Sequence, residues 1–228
     1  MELKLCFSFL LLHVIHVQSS RQWLINVPRK IYALETSCLV IPCIYSIPWR
    51  VSTPNLRKRT GLWKIGKKIV ATTNYNWQLP KEYKYRSDFL GDLHSLNCTM
   101  MLEDVRRTDV GPFYFRIEID PVKSYSFKKN SVHIDVTSNP TPPSMSVQRM
   151  DGMVASCFVT HPCPTNPPKF AWNRPERATR RSNRVNMWLW KTTSILYFSP
   201  KPGAFNQTLN CTVHYSGGKQ ATSSMIIP

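Results

Sequence analysis

The stretch Asp109-Val110-Gly111-Pro112-Phe113-Tyr114-Phe115-Arg116-Ile117-Glu118-Ile119-Asp120 joins a turn to a strand. Asp, Gly and Pro within four positions punctuate the chain, each for its own backbone reason. Beyond them, alternation takes over. Successive side chains of an extended chain point to opposite faces. Phe113, Phe115, Ile117 and Ile119 are therefore expected to face a core, and Tyr114, Arg116, Glu118 and Asp120 to face outward.

The same kind of short segment recurs at 38–44, 61–71, 98–102, 132–136, 153–159 and 208–214, with turn residues between. No helical 3.6-residue pattern of useful length appears. This is the signature of an all-β sandwich. The run Thr137-Ser138-Asn139-Pro140-Thr141-Pro142-Pro143-Ser144 reads as an extended, semi-rigid linker. It divides the chain into 20–138 and 139–228. Each part carries a Cys…Trp…Cys order, Cys43…Trp63…Cys98 and Cys157…Trp172…Cys211. A buried Trp packed on a disulfide is the immunoglobulin hallmark, so the expected architecture is two tandem immunoglobulin-like β-sandwiches.

Residues 1–19 combine a short lysine-bearing start, an apolar stretch from Leu5 to Val17 and small polar residues, as a secretory signal peptide does. The apolar stretch is too short for a membrane anchor. Cys6 leaves with it. The six cysteines that remain imply disulfides in an exported chain, but six allow 15 pairings and spacing does not choose among them. Zinc knuckles are not supported, because no CxxC pair or nearby His pattern occurs. The sequons at Asn97, Asn206 and Asn210 agree with export. With no second long apolar run, the chain reads as secreted or as a piece preceding a stalk and anchor.

The sequence has 228 residues, 30 Lys+Arg against 13 Asp+Glu and a net charge of +17. That excess invites a nucleic-acid reading, which the oxidising compartment argues against. It is spread almost evenly: residues 20–138 hold 19 Lys+Arg and 10 Asp+Glu, and residues 139–228 hold 10 and 2. Catalysis has no support. There is no G-x-S-x-G, P-loop or HExxH signature, and His94, His133, His161 and His214 read as surface or turn residues. No enzyme activity, cofactor or metal is expected.

Within an immunoglobulin frame, Phe113 occupies the tyrosine-corner slot, and the second cysteine should stand two residues later. Phe115 stands there instead. The available cysteine, Cys98, lies upstream in strand E, beside strand B of the same sheet. A Cys43–Cys98 bond would lie within one sheet and leave the two sheets free to sit further apart.

These departures form a pattern. Leu90-Gly91-Asp92, Asn97-Cys98-Thr99, Asp109-Val110-Gly111 and Phe113-Tyr114-Phe115-Arg116, in that order, resemble the LGD turn, NC(S/T) strand, D-x-G turn and arginine-bearing strand of the siglecs, the sialic-acid-binding immunoglobulin-like lectins. Cys38-Leu39-Val40-Ile41-Pro42-Cys43 is similar to the paired cysteines of siglec strand B. His161-Pro162-Cys163-Pro164 with Trp172 is similar to the start of the second siglec domain. The resemblance spans the mature chain and implies a V-set domain over 20–138 and a C2-set domain over 139–228. It implies the bonds Cys43–Cys98, Cys157–Cys211 and, between domains, Cys38–Cys163.

It also implies a site. Arg116 would pair with a sialic-acid carboxylate, since a planar guanidinium offers two parallel donors. Trp23 would pack on the acetamido methyl and Tyr125, in place of the usual Trp, on the glycerol chain. Main-chain groups of Val122 and Ser124 would bond the hydroxyls and acetamide. Alternation counted back from Val132 and Ile134 puts Tyr125 outward, beside Arg116. Linkage preference is expected from the Lys-rich region 65–75. The implied function is a sialoglycan-binding ectodomain for cell adhesion and recognition on the extracellular side of the plasma membrane, anchored in a longer form. The alternative is a basic module binding sulfated polysaccharide or a protein partner, with a decayed glycan site. Its basis is the arginines 174, 177, 180, 181 and 184 and the run Arg57-Lys58-Arg59.

Overall fold

The computed structural model describes residues 22–48, 58–120, 123–199 and 206–227. The expected leader over 1–19, Val122 and Arg57 lie outside the described residues. The described chain is built of strands, with two single-turn 3-10 segments. The first eleven strands are β1 (Leu24–Asn26), β2 (Lys30–Leu34), β3 (Leu39–Ile41), β4 (Ile44–Ser46), β5 (Arg59–Ile65), β6 (Lys68–Thr72), β7 (Ser87–Phe89), β8 (Met100–Leu102), β9 (Phe113–Ile119), β10 (Lys123–Ser126) and β11 (His133–Thr137). They form the sheets β10-β9-β5-β6 and β3-β8-β7, flanked by the pairs β1-β4 and β2-β11. The remaining seven are β12 (Ser144–Met150), β13 (Gly152–His161), β14 (Lys169–Trp172), β15 (Thr179–Arg184), β16 (Trp190–Phe198), β17 (Thr208–His214) and β18 (Gln220–Ile226). They form β12-β13-β16-β15 and β14-β17-β18. No strand of the first group pairs with one of the second, which gives two tandem immunoglobulin-like sandwiches.

Hydrophobic burial closes each sandwich. In β9 the expected inward set Phe113, Phe115, Ile117 and Ile119 is buried against Trp63, Tyr45, Ile41 and Met100. Each fully buried large apolar side chain contributes roughly 1.5–3 kcal/mol. Trp63 Nε1 donates to the Cys98 carbonyl at 2.7 Å, which satisfies the one polar atom of a fully buried indole. Cys43 and Cys98 are bonded across neighbouring strands of one sheet, where Cys98 N donates to Cys43 O at 2.9 Å. Cys157 of β13 and Cys211 of β17 are bonded between sheets. Trp172 is the direct cross-strand neighbour of Cys211.

Two expectations are corrected, for the segment 61–71 and for His161. The segment 61–71 is not one strand but parts of β5 and β6, joined by a tight turn at Gly66, whose φ of +55° favours a residue without Cβ. Tyr114 faces outward but is buried, because Lys64 and the Gly66 turn cover it and its hydroxyl donates to the Gly66 carbonyl at 2.8 Å. His161 is not a surface residue. It is buried in β13, with Nε2 2.8 Å from the Thr192 hydroxyl, whereas His94, His133 and His214 are exposed.

Burial pushes the His161 imidazole below its ordinary pKa, against a smaller opposing contribution from the Cys163 backbone. Below about pH 6.5 the unfolded chain therefore takes up a proton that the folded imidazole resists, and the native state loses stability. The fall in melting temperature between pH 7 and pH 5.5 is expected to be smaller in His161→Gln than in the parent.

The two sandwiches are joined by the Cys38–Cys163 bond. Beside it, Thr36 Oγ1 donates to the Ser216 carbonyl at 2.8 Å, and Lys219 reaches Glu35 at 3.3 Å. A cavity of about 530 Å³ lies at the junction, lined by Tyr32, Leu39, His161, Pro168, His214 and Tyr215 among others.

Candidate functional site

Arg116 stands on the outward face of β9, an inner strand of its sheet. Its cross-strand partners are Leu62 on β5 and Ser126 on β10. Leu62 is only 1% exposed yet lies outside the core cluster, so it forms an apolar floor on this outer face. The arginine side chain keeps 29% of its surface exposed.

Its guanidinium is already engaged. Nε donates to Glu118 Oε1 at 2.8 Å, Nη1 to Ser126 Oγ at 3.0 Å and Nη2 to Ser124 Oγ at 2.8 Å. A guanidinium has five N–H donors, so Nη1 and Nη2 each keep one more. Around them lies a shallow depression of about 410 Å³, with Lys58, Thr60, Asn74, Glu118, Lys123 and Ser124 in its walls. Three cations and hydroxyl and amide groups suit a small anionic, polar ligand. Glu118 opposes one.

Ser124 shares this face, because it is paired with Glu118. The structure shows its hydroxyl bound to Arg116, a side-chain contact that the main-chain expectation had not included. Tyr125 does not share this face. Its cross-strand partner is the inward Ile117, so it points away from Arg116. The 3-10 turn Lys128–Asn130 spoils the count back from Val132 and reverses the expected face. Trp23 meets Tyr125 instead. The two rings stack with centroids 4.9 Å apart and planes parallel, and Phe127 closes edge-on against Tyr125 at 4.9 Å. The aromatic pair and the guanidinium therefore sit on opposite sides of β10. Since β10 is an edge strand, a ligand reaching both would straddle that edge.

Two features escaped the sequence reading. The Glu118 contact to Arg116 was available in it, since residues two apart on a strand share a face. The serine contacts required the register of β10. Of the sequons, Asn206 is exposed, while Asn97 and Asn210 are half-buried, with Asn210 Oδ1 enclosed. Among the described residues no group of three or more His, Cys, Asp or Glu converges on a metal site, and no helix is long and apolar enough to cross a membrane.

The fold defines a tandem immunoglobulin-like protein whose first sandwich displays an arginine on an open sheet face. No family model matches the chain. It is 26% identical over 214 residues to sialic acid-binding Ig-like lectin 5 of Homo sapiens, covering 89% of this chain and 37% of that protein. It is 27% identical over 201 residues to myeloid cell surface antigen CD33 of Mus musculus, covering 83% and 48%. It is 27% identical over 216 residues to myelin-associated glycoprotein of Homo sapiens, covering 88% and 34%. The chain is related to the siglec family. It spans between about a third and a half of the length of these curated relatives.

Proposed function

We propose that this chain is the sialoglycan-binding end of a cell-surface adhesion and recognition protein, and not an enzyme. The domains are 20–138, which carries the site, and 139–228. Their place is the extracellular side of the plasma membrane, with a leader over 1–19. The observation that carries this reading is the Arg116 fork, part-exposed on an open sheet face with one donor free on each prong. A sialic-acid carboxylate takes these two donors end-on, while Nε stays with Glu118. The sugar lies along β10, where main-chain groups of Ser124 meet its hydroxyls and acetamide; Val122, proposed for the same role, lies outside the described residues. Its N-acetyl and glycerol arms reach over the edge toward Trp23 and Tyr125. Asn97, Asn206 and Asn210 are the candidate glycan acceptors, with Asn206 the most open.

One fork and one aromatic pair support weak monovalent binding, so avidity comes from clustering. The test is a glycan array probed with the clustered protein, alongside cells with and without sialidase treatment. Binding confined to sialylated glycans and lost after sialidase is expected. Equal binding to asialo glycans would reject the reading.

Glu118 sets a second expectation. Its carboxylate neutralises Arg116 and repels an incoming anion. Removing that charge in Glu118→Gln is expected to tighten sialoside binding by about three- to tenfold, the range of a partly exposed ion pair worth up to about 1 kcal/mol and a little more for the relieved repulsion. Titration of both proteins with one sialoside measures it. Weaker binding by the variant would mean that Glu118 orients the fork rather than competing for it.

A further inference from the structure

The second sandwich carries a charged feature that the Arg116 site does not use. β15 is the outermost strand of its sheet, and all six of its residues are exposed. It holds Arg180, Arg181 and Arg184. Arg177 precedes it, and Lys191 lies across from Asn183 on β16. From Arg177 to Pro228 the sequence contains no Asp or Glu. Arg174, nearby, belongs elsewhere, since it pairs with Glu176 at 3.1 Å and lies over the Phe198 ring. Arg184 braces the hairpin turn, donating to the carbonyls of Asn186 and Met187. Among the described residues, the guanidiniums of Arg177, Arg180 and Arg181 have no hydrogen-bond or ion-pair partner, although Arg180 and Arg181 pair with β16 through the main chain.

We propose that the β15 edge is a second anion-binding surface, independent of Arg116, and that it takes a sulfated polysaccharide. Arg180 shares a face with Ser194, and Arg184 with Trp190, while Arg181 shares the other face with Thr193. The guanidiniums therefore fan to both sides of one exposed edge. At about 3.3 Å per residue, Arg180 and Arg184 are some 13 Å apart along it. A linear polymer with repeated sulfates matches such a row, one anion per guanidinium, and a free strand edge adds unpaired N–H donors. A single monosaccharide carboxylate would use only one of these groups. A flat anionic membrane would use one side only, and at the hairpin tip only Val185 and Met187 are strongly exposed apolar side chains, Trp188, Leu189 and Trp190 being half-buried.

The experiment compares the mature chain with the variant Arg177→Ser/Arg180→Ser/Arg181→Ser on immobilised heparin at physiological salt. The parent is expected to bind, to release steeply with added salt and to ignore desulfated heparin. The variant is expected to lose at least tenfold in affinity. A control with the same charge removed from the first sandwich, Lys67→Ser/Lys81→Ser/Lys84→Ser, is expected to stay within about twofold of the parent. Arg116→Ala is expected to bind heparin unchanged while losing sialosides, which separates the two surfaces. The proposal is overturned if the parent does not bind heparin, if the arginine variant binds like the parent, or if the lysine control loses as much. It is also overturned if Arg116→Ala abolishes heparin binding, or if phosphatidylserine vesicles capture the chain in preference to heparin. All six substituted residues are exposed, and equal melting temperatures check that the variants fold.

Discussion

Arg116→Ala is expected to lower sialoside binding by about a hundredfold or more while leaving the melting temperature within a few degrees of the parent. Two charge-assisted hydrogen bonds, at roughly 1.5–3 kcal/mol each, disappear with the fork, and each 1.4 kcal/mol is a tenfold change. The fold survives because the side chain is part-exposed and its partners, Ser124, Ser126 and Glu118, remain open to water once it is gone. Arg116→Lys is the informative companion. It keeps the charge but replaces a planar pair of parallel donors with a point charge. An intermediate loss of about tenfold is expected. Isothermal titration with one sialoside, and array binding of the clustered protein, measure both. Binding within twofold of the parent in Arg116→Ala would move the site elsewhere.

The largest effect on stability is expected from Asp109→Ala. Arg86 and Asp109 form a two-pronged ion pair, Nη1 to Oδ2 at 2.9 Å and Nη2 to Oδ1 at 3.2 Å, with side-chain exposures of only 9% and 2%. Arg86 also donates to the carbonyls of Glu82, Glu103 and Asp104, so one guanidinium ties three chain segments. Asp109 accepts the backbone N–H of Arg106 at 2.8 Å and holds the turn that launches β9. Removing the carboxylate leaves a buried cation without its counter-charge, a loss of about 3–5 kcal/mol. For a domain of this size that corresponds to a fall in melting temperature of more than about 10 °C. Because the turn positions the start of β9, a looser Arg116 and weaker sialoside binding are expected as well. A thermal shift of only one or two degrees would show that water reaches the pair and screens it. Arg86 was not singled out from the sequence, since a lone arginine gives no sign of whether it will be buried.

Legibility followed the range of the interaction. The core face of β9 could be read directly, because strict alternation needs nothing beyond the strand itself. So could the two Cys…Trp…Cys sets that mark two sandwiches. The edge strand β15 could not be read, because Thr-Arg-Arg-Ser-Asn-Arg has no apolar face and becomes a strand only by pairing with β16. The single segment expected over 61–71 split at Gly66, where a tight turn leaves the apolar pattern almost unbroken on both sides. Counting back to Tyr125 failed for the reason that makes alternation reliable elsewhere. One irregular turn between Tyr125 and Val132 reverses every face that lies beyond it.

The sequence by itself determined that the chain is an all-β tandem protein and that Arg116 faces outward, since both rest on periodicity within short segments. The tertiary structure alone decided what surrounds that arginine. The register of β10 against β9 sets Ser124 and Ser126 beside the guanidinium and turns Tyr125 to the far side, against Trp23. Register is a relation between strands. A slip of one residue would exchange the two faces of β10, and nothing within the four residues of β10 specifies it.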